Sequence, residues 1–133
     1  MSLEQIRKVE NLIATTGRTV FFEKEELLDG VTALSGSGPA YFFYLVKSMI
    51  EAGKEMGMEE AVATMLVKQT MLGAFHLINN ANKSLDELIQ TVASKGGTTE
   101  AAFSVFESGK VGEGLGAGIL AAEKRAKELS ANA

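Results

Sequence analysis

The 133-residue sequence contains no cysteine, no tryptophan, one proline and one histidine. The absence of cysteine excludes disulfides, thiolate nucleophiles and cysteine-bound metals, and it favours a cytoplasmic location. The single histidine, His76, has no second histidine or cysteine with which to share a metal, so we expect no metal site. We interpret His76 as a structural residue on a helix.

Positive charge and long apolar runs are also scarce. The net charge of −4 comes without a cluster of Lys and Arg, so we expect no nucleic-acid partner. Lys47, Glu51 and Lys54 interrupt the longest apolar stretch, and the start lacks a signal-peptide pattern, so we expect no membrane partner. Apolar residues nevertheless make up 46% of the chain, which is enough for the core of one compact domain.

The spacing of the apolar residues predicts helices along most of the chain. The one convincing strand signal is Arg18–Phe22, which is β-branched and aromatic. A lone strand cannot satisfy its own hydrogen bonds, so we expect this segment to have lost its sheet. The predicted fold is therefore all-α, a bundle of about six helices with one stray N-terminal strand. The six predicted helices of the bundle cover residues 25–34, 39–56, 59–79, 84–92, 98–108 and 113–129, and a further helix over residues 4–15 precedes the strand. Ser84 and Glu87 have the spacing of a capping box at the start of the helix over residues 84–92.

Two apolar or smooth surfaces predict an assembly. Residues 40–46 are apolar nearly all round, and Gly114, Gly118 and Ala121 let another helix approach closely, inside the domain or across a dimer. Together they exceed what six helices can bury alone, so we expect an interlocked two-fold dimer burying more than ~2,000 Å².

Residues 112–117 match the dinucleotide fingerprint G-x-G-x-x-A. That fingerprint needs a preceding strand, and a predicted helix precedes it here, so we disfavour nucleotide binding at this place.

The loop Ser94–Glu100, with the sequence SKGGTTE, has the chemistry of an anion site. Two glycines let the backbone approach a ligand, and the amides lie at the positive end of a helix expected to begin with Thr98 or Thr99 as its cap. Ser94, Thr98 and Thr99 add hydroxyls that can donate to a carboxylate or accept from a protonated amine. The alternative, a glycine loop followed by an ordinary threonine N-cap, stays open at this point.

Two segments carry a resemblance to a known family. They are residues 29–41, DGVTALSGSGPAY, and residues 92–103, VASKGGTTEAAF. Their sequence, order and separation resemble pyrroline-5-carboxylate reductases, and the resemblance extends over essentially all of residues 4–129. A proline commonly occupies the position of Lys95 in the family signature, so this turn is less rigid here.

The resemblance implies a function and a domain organisation. The family reduces 1-pyrroline-5-carboxylate to L-proline with NADH or NADPH in the last step of proline biosynthesis. A Rossmann domain binds NAD or NADP, and a helical domain like that of 6-phosphogluconate dehydrogenase holds the substrate and forms a homodimer or a higher oligomer. Residues 1–23 would then be the end of the nucleotide-binding domain, with residues 1–3 added at expression, and residues 24–133 the helical domain. We expect such a fragment to bind no cofactor and to be inactive alone.

The resemblance also assigns roles to individual residues. The hydroxyl of Thr99, the implied catalytic residue, would meet the ring nitrogen. An iminium carbon is already electrophilic, so positioning and one hydrogen bond to nitrogen suffice. The implied substrate-binding residues are Ser94, Gly96, Gly97, Thr98 and Thr99. The Ser94 side chain and the backbone amides of Gly97, Thr98 and Thr99 would bind the substrate carboxylate. The residues implied to lie near the nicotinamide of the partner subunit are Ser37, Gly38 and Pro39.

Two other functions remain open from the residues alone. One is a stand-alone helical dimerisation module in which the Gly-Thr turn only caps a helix. The other is the helical domain of a different NAD(P)-dependent imine or hydroxyacid reductase. A dimerisation module would not bind proline, whereas the substrate domain of a reductase would. Assay of the intact enzyme with 1-pyrroline-5-carboxylate distinguishes this family from other reductases.

Overall fold

The computed structural model describes residues 2–131, which are helical over most of their length. A single π-helical turn, Thr32–Gly36, leads from the second helix into the third almost without interruption. Six α-helices follow residue 24 in the described part of the chain, so the predicted all-α class is confirmed. The helices are α1 Leu3–Ile13, α2 Leu27–Val31, α3 Gly38–Glu55, α4 Glu60–Asn80, α5 Leu85–Val92, α6 Thr98–Ser108 and α7 Val111–Ala131.

The start of α5 follows directly from its sequence. The Ser84 hydroxyl accepts a hydrogen bond from the Glu87 N–H at 3.2 Å, and the Glu87 carboxylate accepts one from the Ser84 N–H at 2.8 Å. These are the two reciprocal bonds of a capping box, as predicted. Ser84 stabilises the charged carboxylate, mainly through its backbone N–H and secondly through its side chain, and so lowers the pKa of Glu87 below its ordinary value.

The strand predicted over residues 18–22 is absent. Within residues 2–131 the segment is irregular and has no paired strand beside it. Thr19, Val20 and Phe21 instead border a shallow groove of about 150 Å³ against α1. β-Branched and aromatic residues favour extended backbone, but only a hydrogen-bonded neighbour makes such a segment a strand. The prediction of a stray strand is therefore wrong for the chain by itself.

The closest helix packing joins α3 and α4. A Cβ on Gly53 would lie 2.8 Å from the Cβ of Ala63, so only a residue without a side chain lets the two backbones come this near. Ala63 is 1% exposed and Val67 9% exposed at this crossing. Elsewhere α7 packs on α2 and on the π-helical turn, α6 packs on α7, and α5 packs on α4. Each helix of the bundle thus packs on one or more neighbours, but few side chains of the described residues are fully buried.

A single chain leaves most of its apolar surface uncovered. Its accessible surface is 11115 Å², whereas a compact protein of the same 14.1 kDa exposes about 6,700 Å², an excess of about 4,400 Å². The apolar stretch of α3 shows the effect, with Phe43 and Tyr44 each 71% exposed. An exposed apolar surface of this size is typical of protein interaction sites. The apolar side chains that are buried in the described residues are Ala33, Ala63 and Val67.

Helix α4 is long and apolar enough to cross a membrane when only length and composition are considered. Its most apolar window has a mean hydropathy of 1.3 and is 11% buried in the single chain. Core helices of water-soluble proteins pass the same test, so the finding is weak evidence. The absence of a membrane partner stays a prediction.

Candidate functional site

Residues 94–97 form a tight turn between α5 and α6, and each glycine in it is required for a different reason. The Gly97 N–H donates to the Ser94 carbonyl at 2.9 Å and closes the turn. Gly96 has a φ of +73°, in the left-handed region that favours glycine. A Cβ on Gly97 would lie 2.5 Å from the Ser94 hydroxyl oxygen and 2.9 Å from the Ser94 carbonyl oxygen. Side chains at these two positions would therefore distort the turn.

Helix α6 begins at Thr98, and Gly97 occupies its N-cap with extended backbone, φ −87° and ψ 175°. No side chain caps this helix. The predicted threonine cap is therefore wrong, because the glycine takes the non-helical cap position and both threonines lie in the first turn. The first backbone bond of the helix runs from the Ala101 N–H to the Gly97 carbonyl at 3.2 Å. The N–H groups of Thr98, Thr99 and Glu100 precede it and have no partner within the helix.

The two glycine amides of the turn are already engaged. The Gly96 N–H donates to the Glu100 carboxylate at 2.7 Å, and the Gly97 N–H is held by Ser94. In this conformation the Gly97 amide, which the resemblance assigns to the substrate carboxylate, is not available to a ligand. The available amides are those of the first turn of α6, where the helix dipole also favours an anion.

Three hydroxyls surround these amides. Ser94 and Thr98 are exposed and Thr99 is half-buried, and none of the three hydroxyls makes a hydrogen bond within the described chain. Thr99 also borders an apolar groove of about 480 Å³ between α4, α5 and α6, together with Ile78 and Phe103. The turn therefore combines unpaired donors with an apolar surface, which suits a small ring that carries a carboxylate.

The second predicted site segment is the start of α3. Gly38 is buried and Pro39 lies in the first helical turn, as predicted. Ser37 occupies the cap position, but its side chain makes no capping bond. Its backbone is already helical, because its N–H donates to the Thr32 carbonyl at 2.9 Å across the π-helical turn. The Tyr41 hydroxyl donates to the carbonyl of buried Ala33 at 2.9 Å and ties α3 to this turn.

The two site segments lie on different parts of one chain. Helix α3 packs on α4 and the π-helical turn, whereas α6 packs on α7, and no packed interface joins α3 to α6 in residues 2–131. The glycine pattern at residues 112–117 lies inside α7, where a continuous helix has no phosphate-binding turn. Within the described residues no cluster of three or more His, Cys, Asp or Glu could hold a metal.

Sequence reasoning included Glu100 in the loop but assigned no role to its side chain. A Glu at the third position of a helix is one half of a capping box, and that signal is present in the sequence. The other half, a Ser or Thr at the cap, is replaced by Gly97, and the Glu100 carboxylate reaches one residue further back to Gly96. Because the cap is a glycine, the sequence does not match the usual capping-box motif, and the bond from the Gly96 N–H to Glu100 was not predicted.

Comparison with known proteins gives one consistent family. Residues 25–129 match the family model described as pyrroline-5-carboxylate reductase dimerisation, and this region contains both site segments. Pyrroline-5-carboxylate reductase of Pseudomonas aeruginosa is 35% identical over 130 residues, which are 98% of this chain and 48% of that protein. The enzyme of Haemophilus influenzae is 38% identical over 121 residues, 90% of this chain and 45% of that protein. The chain thus spans about half the length of the curated relatives it matches.

Solved structures agree with this assignment. A pyrroline-5-carboxylate reductase from Coxiella burnetii superposes with a TM-score of 0.91 at 36% identity, over 97% of this chain and 48% of that one. The Plasmodium falciparum pyrroline carboxylate reductase, solved with NADP bound, gives a TM-score of 0.87 at 25% identity, over 96% of this chain and 48% of that one. The family model covers most of the sequence, and the chain therefore belongs to the pyrroline-5-carboxylate reductase dimerisation family.

Proposed function

We propose that the chain is the substrate-binding and dimerisation part of a pyrroline-5-carboxylate reductase. The complete enzyme reduces 1-pyrroline-5-carboxylate to L-proline with NADH or NADPH in the last step of proline biosynthesis, in the cytoplasm. The observation that carries the proposal is the turn at residues 94–99, with its unpaired amides and hydroxyls, inside the region matched by the family model. The proposed substrate-binding residues are Ser94, Gly96, Gly97, Thr98 and Thr99.

The substrate carboxylate binds at the start of α6 in this proposal. The amides of Thr98 and Thr99 precede the first intrahelical bond, and the Ser94 hydroxyl has no other partner in the described chain. A charge-assisted hydrogen bond contributes about 1.5–3 kcal/mol before ordering costs, so three of them hold a small carboxylate. Gly96 and Gly97 act by shape, because their lack of side chains permits the turn that presents these donors.

Thr99 is the proposed catalytic residue. Its half-buried hydroxyl lies at the border of the apolar groove, where the ring carbons of the substrate pack while the hydroxyl orients the ring nitrogen. The C=N carbon of the substrate is already electrophilic, so hydride addition needs positioning more than a strong acid or base. This chemistry agrees with a site whose described residues offer hydroxyls and amides.

NAD or NADP supplies the hydride when it is bound. The glycine pattern of residues 112–117 lies within helix α7, so it does not form the phosphate-binding turn of such a cofactor. The described residues therefore offer contacts only to the nicotinamide end of the cofactor. We propose that Ser37, Gly38 and Pro39 lie near the nicotinamide bound to the partner subunit. Residues 1–23 are proposed as the end of the nucleotide-binding domain and residues 24–133 as the helical domain. The chain alone is then expected to bind no cofactor.

An interlocked homodimer, alone or within a higher oligomer, completes the proposal. It is supported by the surface excess of about 4,400 Å² and by the exposed apolar stretch of α3. A dimer also offers a way to bring the start of α3 to a partner's site, since α3 and α6 share no packed interface in the described part of one chain.

Titration of the 133-residue chain with L-proline, followed by amide chemical shifts, tests the proposal. We expect saturable binding with the largest shifts at residues 94–100. Pyrrolidine, which has the same ring but no carboxylate, should cause none. A stand-alone dimerisation module would respond to neither ligand, and that result would contradict the proposal.

A further inference from the structure

The turn at residues 94–97 has little intrinsic order of its own. None of Lys95, Gly96 and Gly97 restricts its own φ as a proline would, and glycine loses more conformational freedom on ordering than any other residue. Fixing the backbone of one residue costs about 1–2 kcal/mol. Donors that must hold a ligand in one orientation therefore need an added restraint at this place.

Two hydrogen bonds supply the restraint, and only one depends on a side chain. The first joins the Gly97 N–H to the Ser94 carbonyl, backbone to backbone. The second joins the Gly96 N–H to the Glu100 carboxylate at 2.7 Å. Glu100 lies in the first turn of α6, so the second bond ties the Lys95–Gly96 peptide to the helix that provides the amides.

We propose that Glu100 is the positioning residue of the turn, and this inference rests on the proposed function. Its carboxylate holds the Gly96 peptide, which keeps the amides of Thr98 and Thr99 directed at one point. It also occupies the Gly96 N–H, so a ligand carboxylate is directed to the start of α6. Glu100 acts through the turn and not by contact with the ligand.

A carboxylate this close to an anion site also repels the ligand, and substitutions separate the two effects. Glu100→Gln keeps an oxygen that can accept the Gly96 N–H but removes the charge. Glu100→Ala removes both. Positioning predicts that the alanine variant binds more weakly and that the glutamine variant restores binding. Repulsion alone predicts that both variants bind more tightly, which would overturn the inference.

The experiment measures L-proline binding to the 133-residue chain by amide chemical shifts. We expect Glu100→Ala to raise the Kd about 3- to 10-fold, because the bond is charge-assisted but solvent-exposed. Glu100→Gln should lie within about 2-fold of wild type. Glu107→Ala is the matched control, since it removes an equal charge from the same helix, and both carboxylates border one groove between α5 and α6. It should leave the Kd unchanged.

A second readout reports the bond directly and needs no ligand. In wild type the Gly96 amide should be better protected against hydrogen exchange than the Lys95 amide, for which the described residues provide no hydrogen-bond acceptor. A Gly96 amide that is no better protected than that of Lys95 would overturn the inference, even if the alanine variant fails to fold. If Glu100→Ala binds L-proline as tightly as wild type while Thr99→Val binds it more weakly, the role of Glu100 is overturned and the proposed function stands. Absence of L-proline binding to wild type would contradict both.

Discussion

Small residues create two smooth helix faces in this molecule, and only one of them is used within the chain. At the crossing of α3 and α4, a Cβ on Gly53 would lie 2.8 Å from that of Ala63, and the two backbones are in close contact. Along α7, a Cβ on Gly114 or Gly118 would meet no neighbouring atom within 4 Å. The same sequence signal thus marks an internal contact in one place and an open face in the other, and we assign the open face to the dimer.

The largest expected effect is at the open face. Gly118→Leu adds four carbons to each copy of a two-fold interface, and overpacking costs about 1–3 kcal/mol per site, so the dimer should weaken by about 2–6 kcal/mol. Sedimentation equilibrium across a dilution series measures this change. A Gly118→Leu dimer as tight as wild type would show that the α7 face is not an interface and would break the comparison.

A smaller effect is expected at the internal crossing. Gly53→Ala places a methyl group against Ala63 and should reduce the free energy of unfolding by about 1–3 kcal/mol. Urea denaturation measures it. Gly73→Ala, also inside a helix but without a neighbour within 4 Å in the chain, is the matched control. Adding Ala63→Gly to Gly53→Ala should recover part of the loss by removing the clash, and failure to do so would place the strain elsewhere.

The smallest effect is expected at the start of α5, which involves neither smooth face. The pKa of Glu87 is lowered in the folded chain, so the stability it contributes is present above its ordinary value of 4.5. This contribution is lost as the pH falls through the lowered pKa. Unfolding midpoints of wild type and Glu87→Gln, measured between neutral and acidic pH, should therefore converge in acid. Midpoints that differ equally at every pH would contradict this account of the capping box.

The sequence was most informative where structure depends on neighbours in the chain. Helix positions and the Ser84–Glu87 capping box follow from local spacing, and both are confirmed. The predicted strand at residues 18–22 failed because a strand needs a partner, which no described residue provides. The predicted end of α6 at Ser108 is confirmed, and Gly109 follows it as the C-cap with a φ of −80°. The left-handed residue of this connection is Lys110, with a φ of +53°, and α7 begins directly after it, at Val111.

The candidate site was predictable in position but not in detail. The glycines and hydroxyls of residues 94–99 identified the turn, because their chemistry is local. Which amides remain for a ligand depends on bonds inside the turn, including the one to Glu100 that a glycine at the cap makes possible. The apolar groove beside Thr99 is lined by side chains from α4, α5 and α6, which come together only in the folded chain, so local spacing did not predict it.

The measurement that tests the account most directly is the turnover of Thr99→Val in the full-length enzyme. Valine keeps the shape of threonine and removes only the hydroxyl proposed to orient the ring nitrogen. We predict that kcat/KM for 1-pyrroline-5-carboxylate falls about 10- to 100-fold with fold and dimer unchanged. The matched control is Thr98→Val, which keeps its amide and should stay within about 3-fold of wild type. If Thr99→Val folds, dimerises and turns over like wild type, Thr99 is only a first-turn residue of α6, and the catalytic role proposed for it is contradicted.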